Sequence, residues 1–593
     1  MITQKLKSFV EKHYVAISRL VLATFFIVII ISLNKNFNKY LDSDMSSELI
    51  LSEQLNNEHK ILTTEWYYST ELRVFNTQLV FSPLFGIFNN WHTIRIVGTT
   101  LLLLILLMSF LYFCKKMQIK YRYILALYII GAYSIQYLNF VIAGTYYIPH
   151  IVISFLTLAL LSNILRKNKI IITNLLLITL SFVSGLGGIR QLVILYLPLC
   201  VTSTLYLLYS QWNKLKTFHI DLKYSSFLVF MSTIFMSITS VIGYIINILV
   251  LQKYFKFFNY ANTTIGFASL GKISKILGGI LHTHGLPYYK LPGMTIGTKI
   301  AMSICFVIWA ALIIYSCLVL LKAIIKKHIH ICDEHIFLFM FYIMALLITM
   351  LSFMFMNVIY SDRYLLPVSI FFVPVIGIFL TNYKNIRTKT ILLIILTLQI
   401  VFCTYLNIKI ENSNSTNDEL IEIVNLLDLN QSYTGYASFW NANILTELSD
   451  GKIEVWDYGD NKQFDISSMY QWLQLKEHTY KHPENNIFVL LSTDEIKQFN
   501  LDYLDSTKEI YRSENYVVYI FNDYEELLST LRFLTLIKTH LNKNLLTPPV
   551  AMNLNGVHRN WWGYFRLIQS LYQYVCLYSQ YIFLYSKRIL QEN

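Results

Sequence analysis

Residues 94–114 read IRIVGTTLLLLILLMSFLYFC, a stretch in which nearly every side chain is apolar. A helix of this length is long enough to cross the ~30 Å hydrocarbon core of a bilayer. Ten more apolar runs of similar character precede residue 409. We therefore predict a polytopic α-helical membrane protein with about eleven transmembrane helices. The predicted spans are residues 17–33, 94–114, 122–140, 146–165, 169–186, 190–209, 227–251, 298–324, 335–359, 363–381 and 388–408.

The composition supports this class of protein. Of 593 residues, 55% are hydrophobic and only 14% are charged, whereas a soluble domain has about 25% charged residues. The apolar blocks therefore need lipid as their solvent. The seven cysteines are scattered and form neither a CxxC pair nor a zinc-type spacing. The abundance of Lys, Asn and Ile is typical of an AT-rich bacterium.

The position of the basic residues explains the net charge of +13. With the N-terminus placed inside, the short outer loops near 141–145, 186–189 and 360–362 contain no Lys or Arg, which follows the positive-inside rule. This predicts a multi-pass protein of the cytoplasmic membrane with a cytoplasmic N-terminus and an extracytoplasmic C-terminal domain. No basic stripe interleaved with aromatics occurs, so nucleic acid is excluded as a partner. The inner basic residues are Lys5, Lys7, Lys12, Lys115, Lys116, Lys120, Arg166, Lys167, Lys169, Lys214, Lys216, Lys223, Lys322, Lys326, Lys327, Lys384, Arg387 and Lys389.

The chain divides into three predicted parts. Residues 1–408 form the transmembrane domain, which carries a first outer loop over 34–93 and a second over 252–297. Residues 409–531 are predicted to form a small extracytoplasmic α/β domain. Residues 532–593 are an aromatic-rich tail to which we assign no role.

The outer segments differ in pattern. Strand-like runs at 453–456, 487–491 and 516–521 alternate with helical stretches, which is typical of an α/β domain. The aromatic residues of the two outer loops instead suggest helices lying in the membrane interface. They are Trp66, Tyr67, Tyr68, Phe75, Phe81, Phe85 and Phe88 in the first loop, and Tyr254, Phe255, Phe257, Phe258 and Tyr260 in the second.

The first candidate site is the stretch Leu41-Asp42-Ser43-Asp44-Met45-Ser46-Ser47-Glu48, directly after the first helix. Ionisable side chains at a membrane boundary are functional candidates because burying them is costly. Asp42 or Asp44 could deprotonate an acceptor hydroxyl, or bind a divalent cation that steadies a phosphate leaving group. The alternative is a helix cap, because Asp and Ser often begin helices.

Two further stretches contain a candidate arginine. Glu71 and Arg73 could supply a second acid and a phosphate or sugar contact, or be surface charges of an interfacial helix. Arg363 lies between Asp362 and Tyr364, at the predicted outer end of the tenth span. A guanidinium group is a rigid fork for phosphate oxygens. The alternatives for Arg363 are snorkelling or a structural contact with Asp362.

Minor candidates lie at other outer helix ends. Tyr147 and His150 belong to the stretch Tyr146-Tyr147-Ile148-Pro149-His150, and Arg190 begins the sixth span. His282 and His284 could bind a metal. Two histidines without an acidic third ligand make a weak site, so satisfied loop histidines are the alternative.

Together these features resemble the GT-C superfamily of integral membrane glycosyltransferases. The likeness is greatest to its lipid-phosphate-sugar-dependent branch, which includes protein O-mannosyltransferases and lipid A aminoarabinose transferases. It covers roughly residues 15–530 in architecture. It is carried by Asp42-Ser43-Asp44, by Asp362-Arg363-Tyr364 with Pro367, and by the stretch GYASFWNAN at 435–443. The adjacent Asp-Glu pair of protein mannosyltransferases is absent, which leaves open the identity of the base and the need for metal.

The resemblance implies the transfer of a hexosyl or pentosyl group from a polyprenyl-phosphate donor to a glycan, protein or lipid acceptor, with inversion. Arg363, helped by Arg190 or Arg73, would hold the phosphate. Asp44 or Asp42 would accept the hydroxyl proton of the acceptor. The second outer loop and the outer domain would close over or select the acceptor. Trp440 and its neighbours could contact sugar, or belong to the domain core.

Two other classes of protein stay open. A transporter or flippase of lipid-linked sugars predicts charges near the membrane midplane, broken helices and paired repeats. The sequence has no evident repeat, and its apolar stretches are nearly free of charge. A membrane scaffold without enzymatic activity would tolerate Asp44→Asn and Arg363→Ala, whereas an enzyme would lose turnover.

Overall fold

The architecture is given by a computed structural model. It describes residues 2–69, 72–215, 221–257, 266–288, 294–326, 331–356, 358–458, 466, 469–499 and 508–531. The predicted tail at 532–593 lies outside these residues. The elements described below belong to one compact unit, Met1–Leu528.

The membrane region consists of seventeen helices within the described residues. They are α1 (Ile2–Tyr40), α2 (Ser43–Glu58), α3 (Gln78–Phe85), α4 (Trp91–Lys116), α5 (Arg122–Leu125), α6 (Leu127–Ile130), α7 (Ile135–Tyr137), α8 (Ile148–Leu165), α9 (Ile170–Leu186), α10 (Leu197–Leu215), α11 (Ser225–Leu249), α12 (Leu270–Thr283), α13 (Ile296–Lys326), α14 (Asp333–Phe355), α15 (Leu366–Ser369), α16 (Phe372–Asn382) and α17 (Ile386–Asn414). Leu138–Ala143 and Leu192–Tyr196 are π-helical, and Leu251–Tyr254 and Asp362–Leu365 are 3₁₀ turns.

All eleven predicted spans are largely helical. Among the described residues, nine helical segments are long and apolar enough to cross a membrane. A tenth span is a bent pair, Arg122–Ile130 and Ile135–Ala143, whose halves meet at 81°. The remaining segment is α9, an apolar helix of 17 residues. The predicted polytopic α-helical class is therefore confirmed.

Polar side chains of α17 stabilise the break in the bent pair. The backbone N–H of Ala132 donates to Thr404 Oγ1 at 3.0 Å, and Asn407 Nδ2 donates to the Ala132 carbonyl at 2.9 Å. The side chain of Ser134 then caps α7 by accepting from the Tyr137 N–H. A broken helix is tolerated inside a membrane protein when neighbouring side chains satisfy the freed backbone groups.

Close packing of α9 on α11 depends on two glycines. A Cβ atom at Gly185 would lie 2.1 Å from the Ser240 carbonyl oxygen, and one at Gly243 would lie 2.4 Å from the Phe182 carbonyl oxygen. Small residues at such a crossing let two membrane helices approach closely. These contacts hold the short helix α9 against a full-length neighbour.

The C-terminal region contains the small α/β domain that the sequence predicts. Its elements are α18 (Asn417–Leu429), β3 (Thr434–Ala437), α19 (Phe439–Leu448), β4 (Glu454–Asp457), a 3₁₀ turn (Lys476–Thr479), β5 (Asn485–Ser492), α20 (Thr493–Phe499), β6 (Glu509–Arg512) and β7 (Tyr516–Asp523). The five strands form one sheet of the order β4-β3-β5-β7-β6, in which β3 is parallel to β4 and β5, and β7 is antiparallel to β5 and β6.

Trp66, Tyr67, Tyr68, Phe255 and Phe257 of the two outer loops do not lie on helices, so for these residues the prediction of interfacial helices is wrong. Phe81 and Phe85 do lie on a helix, α3, whereas Phe258 and Tyr260 lie outside the described residues. Tyr67 and Tyr68 form strand β1, which is parallel to β2 (Lys256–Phe257). Trp66 makes a bridge to Leu475, and the Tyr67 N–H donates to the Gln474 carbonyl at 2.9 Å. Backbone pairing buries these rings between the two loops and the outer domain, where the sequence pattern alone suggested membrane contact.

Candidate active site

Asp42 occupies the break between α1 and α2. Its backbone is extended (φ −126°, ψ 168°), and its carboxylate accepts from the Met45 N–H at 2.7 Å, so it caps α2. The same carboxylate accepts from the Tyr146 hydroxyl at 2.8 Å. Burial raises the pKa of Asp42 to about 6, and the charge of Asp44 adds to the rise. The cap that the sequence suggested is therefore real, and it holds a carboxylate in a buried position.

Asp44 lies in the first turn of α2 and faces an arginine from a distant part of the chain. Its Oδ2 is 3.4 Å from Arg363 Nη1, although 319 residues separate the two in sequence. Arg363 is on the 3₁₀ turn Asp362–Leu365, where the tenth predicted span begins. The side chain of Asp44 is 25% exposed and that of Arg363 is 32% exposed, so solvent reaches both. The structure thus brings the predicted acid and the predicted phosphate ligand together.

Aromatic rings contact the guanidinium group of Arg363 and that of a second arginine, Arg190. The Arg363 guanidinium lies 5.2 Å from the Phe140 ring centroid and 5.7 Å from that of Tyr364. The Arg190 guanidinium lies 5.5 Å from the Tyr147 centroid and 5.7 Å from the same Tyr364 ring. Arginine–aromatic contacts of this length are favourable and orient the planar fork. The structure therefore brings the predicted residues Tyr147, Arg190 and Tyr364 into one cluster with Arg363.

Arg73 forms a second ion pair one helical turn further along α2. Its Nη1 lies 3.5 Å from Glu48 Oε1, and Glu48 also accepts from the Thr77 hydroxyl at 2.5 Å. Burial raises the pKa of the Glu48 carboxyl, and Arg73 opposes the rise. Glu71, the predicted second acid, lies outside the described residues.

Asp362 has partners other than Arg363. It accepts from the Tyr288 hydroxyl at 2.5 Å, and His282 Nδ1 lies 3.6 Å from the same carboxylate oxygen. Both partners belong to the second outer loop. The structure therefore places Asp362 as an anchor for that loop, while substrate contact by Asp362 stays a prediction.

Two predicted histidines are held by protein groups. His150 Nδ1 lies 3.1 Å from Gln191 Nε2. His284 contacts the Ile280 carbonyl at 2.6 Å and the Tyr342 hydroxyl at 3.2 Å. His284 therefore fits the alternative of a satisfied loop histidine.

Within the described residues, the carboxylates do not assemble a divalent-cation site. No three His, Cys, Asp or Glu side chains converge on a common point anywhere in the described residues. Asp42 is already occupied by the Met45 N–H and the Tyr146 hydroxyl, and Asp44 faces a guanidinium. These two carboxylates do not fit a resident metal, and the mechanism proposed for this site uses none.

Sequence reasoning missed several residues of this cluster. Phe140 carries no signal of its own in an apolar stretch. Glu48 belongs to the quoted acidic run and lies four residues after Asp44, a spacing that places the two on one helix face.

Trp440, for which a domain-core position was the alternative, is 55% exposed. Contact of Trp440 with sugar stays a prediction.

Comparisons with known proteins bear on the fold. No protein-family model matches the chain, and no curated protein sequence matches it significantly. Among solved structures, the chain is similar in fold to ArnT from Cupriavidus metallidurans bound to undecaprenyl phosphate. The TM-score is 0.54 at 9% identity, over 84% of this chain and 97% of that one.

A weaker likeness is to the oligosaccharyltransferase of Archaeoglobus fulgidus in its apo form. It has a TM-score of 0.38 at 11% identity, over 73% of this chain and 64% of that one. A score of this size does not by itself define a shared fold.

Proposed function

We propose that this protein is a glycosyltransferase that moves a sugar from a polyprenyl-phosphate donor to an acceptor on the outer face of the cytoplasmic membrane. The observation that carries the proposal is the 3.4 Å approach of Asp44 to Arg363, with Arg190 nearby across the Tyr364 ring. An acid and two phosphate-binding groups then share one membrane boundary. The GT-C-like fold, and the undecaprenyl phosphate bound to ArnT, support the class of donor.

Arg363 and Arg190 hold the donor phosphate in this mechanism. Guanidinium groups make charge-assisted hydrogen bonds to phosphate oxygens, and their charge stabilises the phosphate as it leaves. The Tyr364 ring between them keeps both forks oriented. The lipid tail of the donor lies among the membrane helices.

Asp44 is the proposed base, because it is partly exposed and does not cap a helix. As the acceptor oxygen bonds to the anomeric carbon, its proton passes to the Asp44 carboxylate. The bond from that carbon to the phosphate oxygen breaks, and its electron pair leaves with polyprenyl phosphate. A single displacement inverts the anomeric carbon. Phosphate binding draws Arg363 away from Asp44, which frees the base.

The broken span is the one observation that favours a transporter of lipid-linked sugars, since such proteins place broken helices at their binding sites. Here Thr404 and Asn407 occupy the freed backbone groups of Ala132. Phe140, on the second half of the span, supports Arg363. We therefore prefer the enzyme, with the transporter as second candidate.

A transfer assay separates the candidates. The native protein, Asp44→Asn or Arg363→Ala is produced in membranes that contain radiolabelled lipid-linked sugar, and transfer of the label is measured. We expect both variants to insert normally and to lose transfer. The matched controls Asp494→Asn and Arg512→Ala alter exposed residues of the outer domain and should keep it. Movement of labelled lipid across the membrane without transfer would favour the transporter, and neither movement nor transfer by the native protein would favour a scaffold. Full transfer by both site variants would contradict the proposed site.

A further inference from the structure

The segment that carries Asp42 and Asp44 is fastened to the outer domain. Asn417 Nδ2, on α18, donates to the carbonyl oxygens of Asn38 at 2.7 Å and Leu41 at 2.9 Å. The Ser43 hydroxyl donates to the Phe439 carbonyl at the start of α19. The outer domain therefore contacts the backbone just before the carboxylates and the side chain between them.

A buried ion pair makes the third contact. Arg95, in the first turns of α4, donates to both carboxylate oxygens of Glu447, from Nε at 2.8 Å and from Nη2 at 2.6 Å. Arg95 Nη2 also donates to the Met45 carbonyl at 2.9 Å. The guanidinium lies 5.8 Å from the Phe37 centroid and 5.1 Å from that of Phe81. One side chain thus joins a membrane helix, the outer domain and the first turn of α2.

The geometry of this pair fixes the peptide next to Asp44. Arg95 and Glu447 are only 2% and 5% exposed, so water cannot readily replace either partner. A bidentate contact sets orientation as well as distance. The N–H of Met45 is capped by Asp42, while its carbonyl is held by Arg95. Both ends of this residue are therefore constrained.

We propose that Arg95 and Glu447 are positioning residues, which lock the first turn of α2 to the outer domain so that Asp44 stays opposite Arg363. The catalytic meaning of this inference rests on the proposed function. The contacts that hold Asp44 opposite Arg363 do not depend on that function. The outer domain is then a structural part of the active site. A displacement of that domain, such as one caused by a bound acceptor, is transmitted to Asp44 through the contact of Glu447 with Arg95.

Cross-linking tests the positioning without any ligand. Asp44→Cys and Arg363→Cys are combined in the full-length protein and joined by a short bifunctional methanethiosulfonate reagent, with each single cysteine variant as background. Adding Glu447→Gln, or the charge-conserving Arg95→Lys, should lower the yield several-fold. The control Asp450→Ala breaks a different contact of the outer domain, the one in which Asp450 accepts from the Trp91 N–H at 2.8 Å. It should leave the yield unchanged.

Equal yields in all backgrounds would overturn the proposal. So would an equal loss in Asp450→Ala, because that result would mean a general loosening of the outer domain. If Glu447→Gln unfolds, as detected by size-exclusion chromatography, Arg95→Lys decides the matter by the same criterion.

Binding of undecaprenyl phosphate gives a second readout. If Asp44 competes with the phosphate for Arg363, Asp44→Asn tightens binding in the native background. In the Glu447→Gln background the same substitution should change binding much less, because Asp44 has already moved. An equal fold-change in both backgrounds contradicts the positioning role. If the native protein binds no undecaprenyl phosphate, the proposed function fails, while the cross-linking result still decides the role of the pair.

Discussion

Replacing Asp44 with asparagine should tighten the binding of a polyprenyl phosphate, even though it removes the proposed base. The Asp44 carboxylate lies 3.4 Å from Arg363 Nη1 and so competes with the phosphate for this guanidinium. Asparagine has nearly the same shape, and Asp42 still caps α2. The substitution therefore removes one negative charge from the phosphate site with little change in packing.

The size of the effect follows from the distance and the exposure. Two unit charges at 3.4 Å attract by about 5 kcal/mol at an effective dielectric constant of about 20, but by about 1.2 kcal/mol in bulk water. Because the two side chains are 25% and 32% exposed, the value for solvated pairs is the relevant one, at most about 1 kcal/mol. The dissociation constant should therefore fall by a factor of at most about five.

The measurement is a titration of the nanodisc-reconstituted protein with undecaprenyl phosphate at low ionic strength. Asp494→Asn serves as the matched control. Added salt should shrink the difference between Asp44→Asn and the native protein, because exposed charges are screened. Weaker binding by Asp44→Asn would refute the reasoning, since it would mean that this carboxylate helps to bind the phosphate.

Three further outcomes are expected. Arg363→Lys should raise the dissociation constant of undecaprenyl phosphate about tenfold, because a lysine lacks the planar fork; equal affinity would contradict a bidentate contact. Asp42 takes up a proton as pH falls through about 6. The transfer rate should fall over that range because the cap of α2 weakens, and Asp42→Asn, neutral at every pH, should lack this limb of the pH–rate profile. Asn407→Leu should lower stability by about 1–3 kcal/mol in a thermal-unfolding assay because it leaves the Ala132 carbonyl unpaired, and an unchanged melting temperature would argue against that hydrogen bond.

The membrane architecture could be predicted because the apolar blocks are long and sharply bounded. The break in the third span could not, since it depends on Thr404 and Asn407, which lie about 270 residues further along the chain. Tertiary contacts likewise decide Tyr67 and Tyr68. Their aromatic character is compatible with a membrane interface, but their backbone pairs with β2 and the outer domain.

The candidate site was predictable in part for a similar reason. Acids and arginines next to helix ends draw attention, which is how Asp44 and Arg363 enter the prediction. Arg95 carries a usable signal, because it is an ionisable residue inside a predicted span. Its partner Glu447 has none, since an acid in a polar domain is unremarkable until the fold buries it.

The short length of α9 has a consequence for the lipid around the protein. Its 17 residues extend about 25 Å, less than the ~30 Å of a typical hydrocarbon core. Such hydrophobic mismatch is met by local thinning of the bilayer or by sinking of the helix end. Arg190 follows this end after a turn of three residues, so we expect its guanidinium to meet a lipid phosphate at the natural depth of the headgroups, without lifting the lipid out of its leaflet.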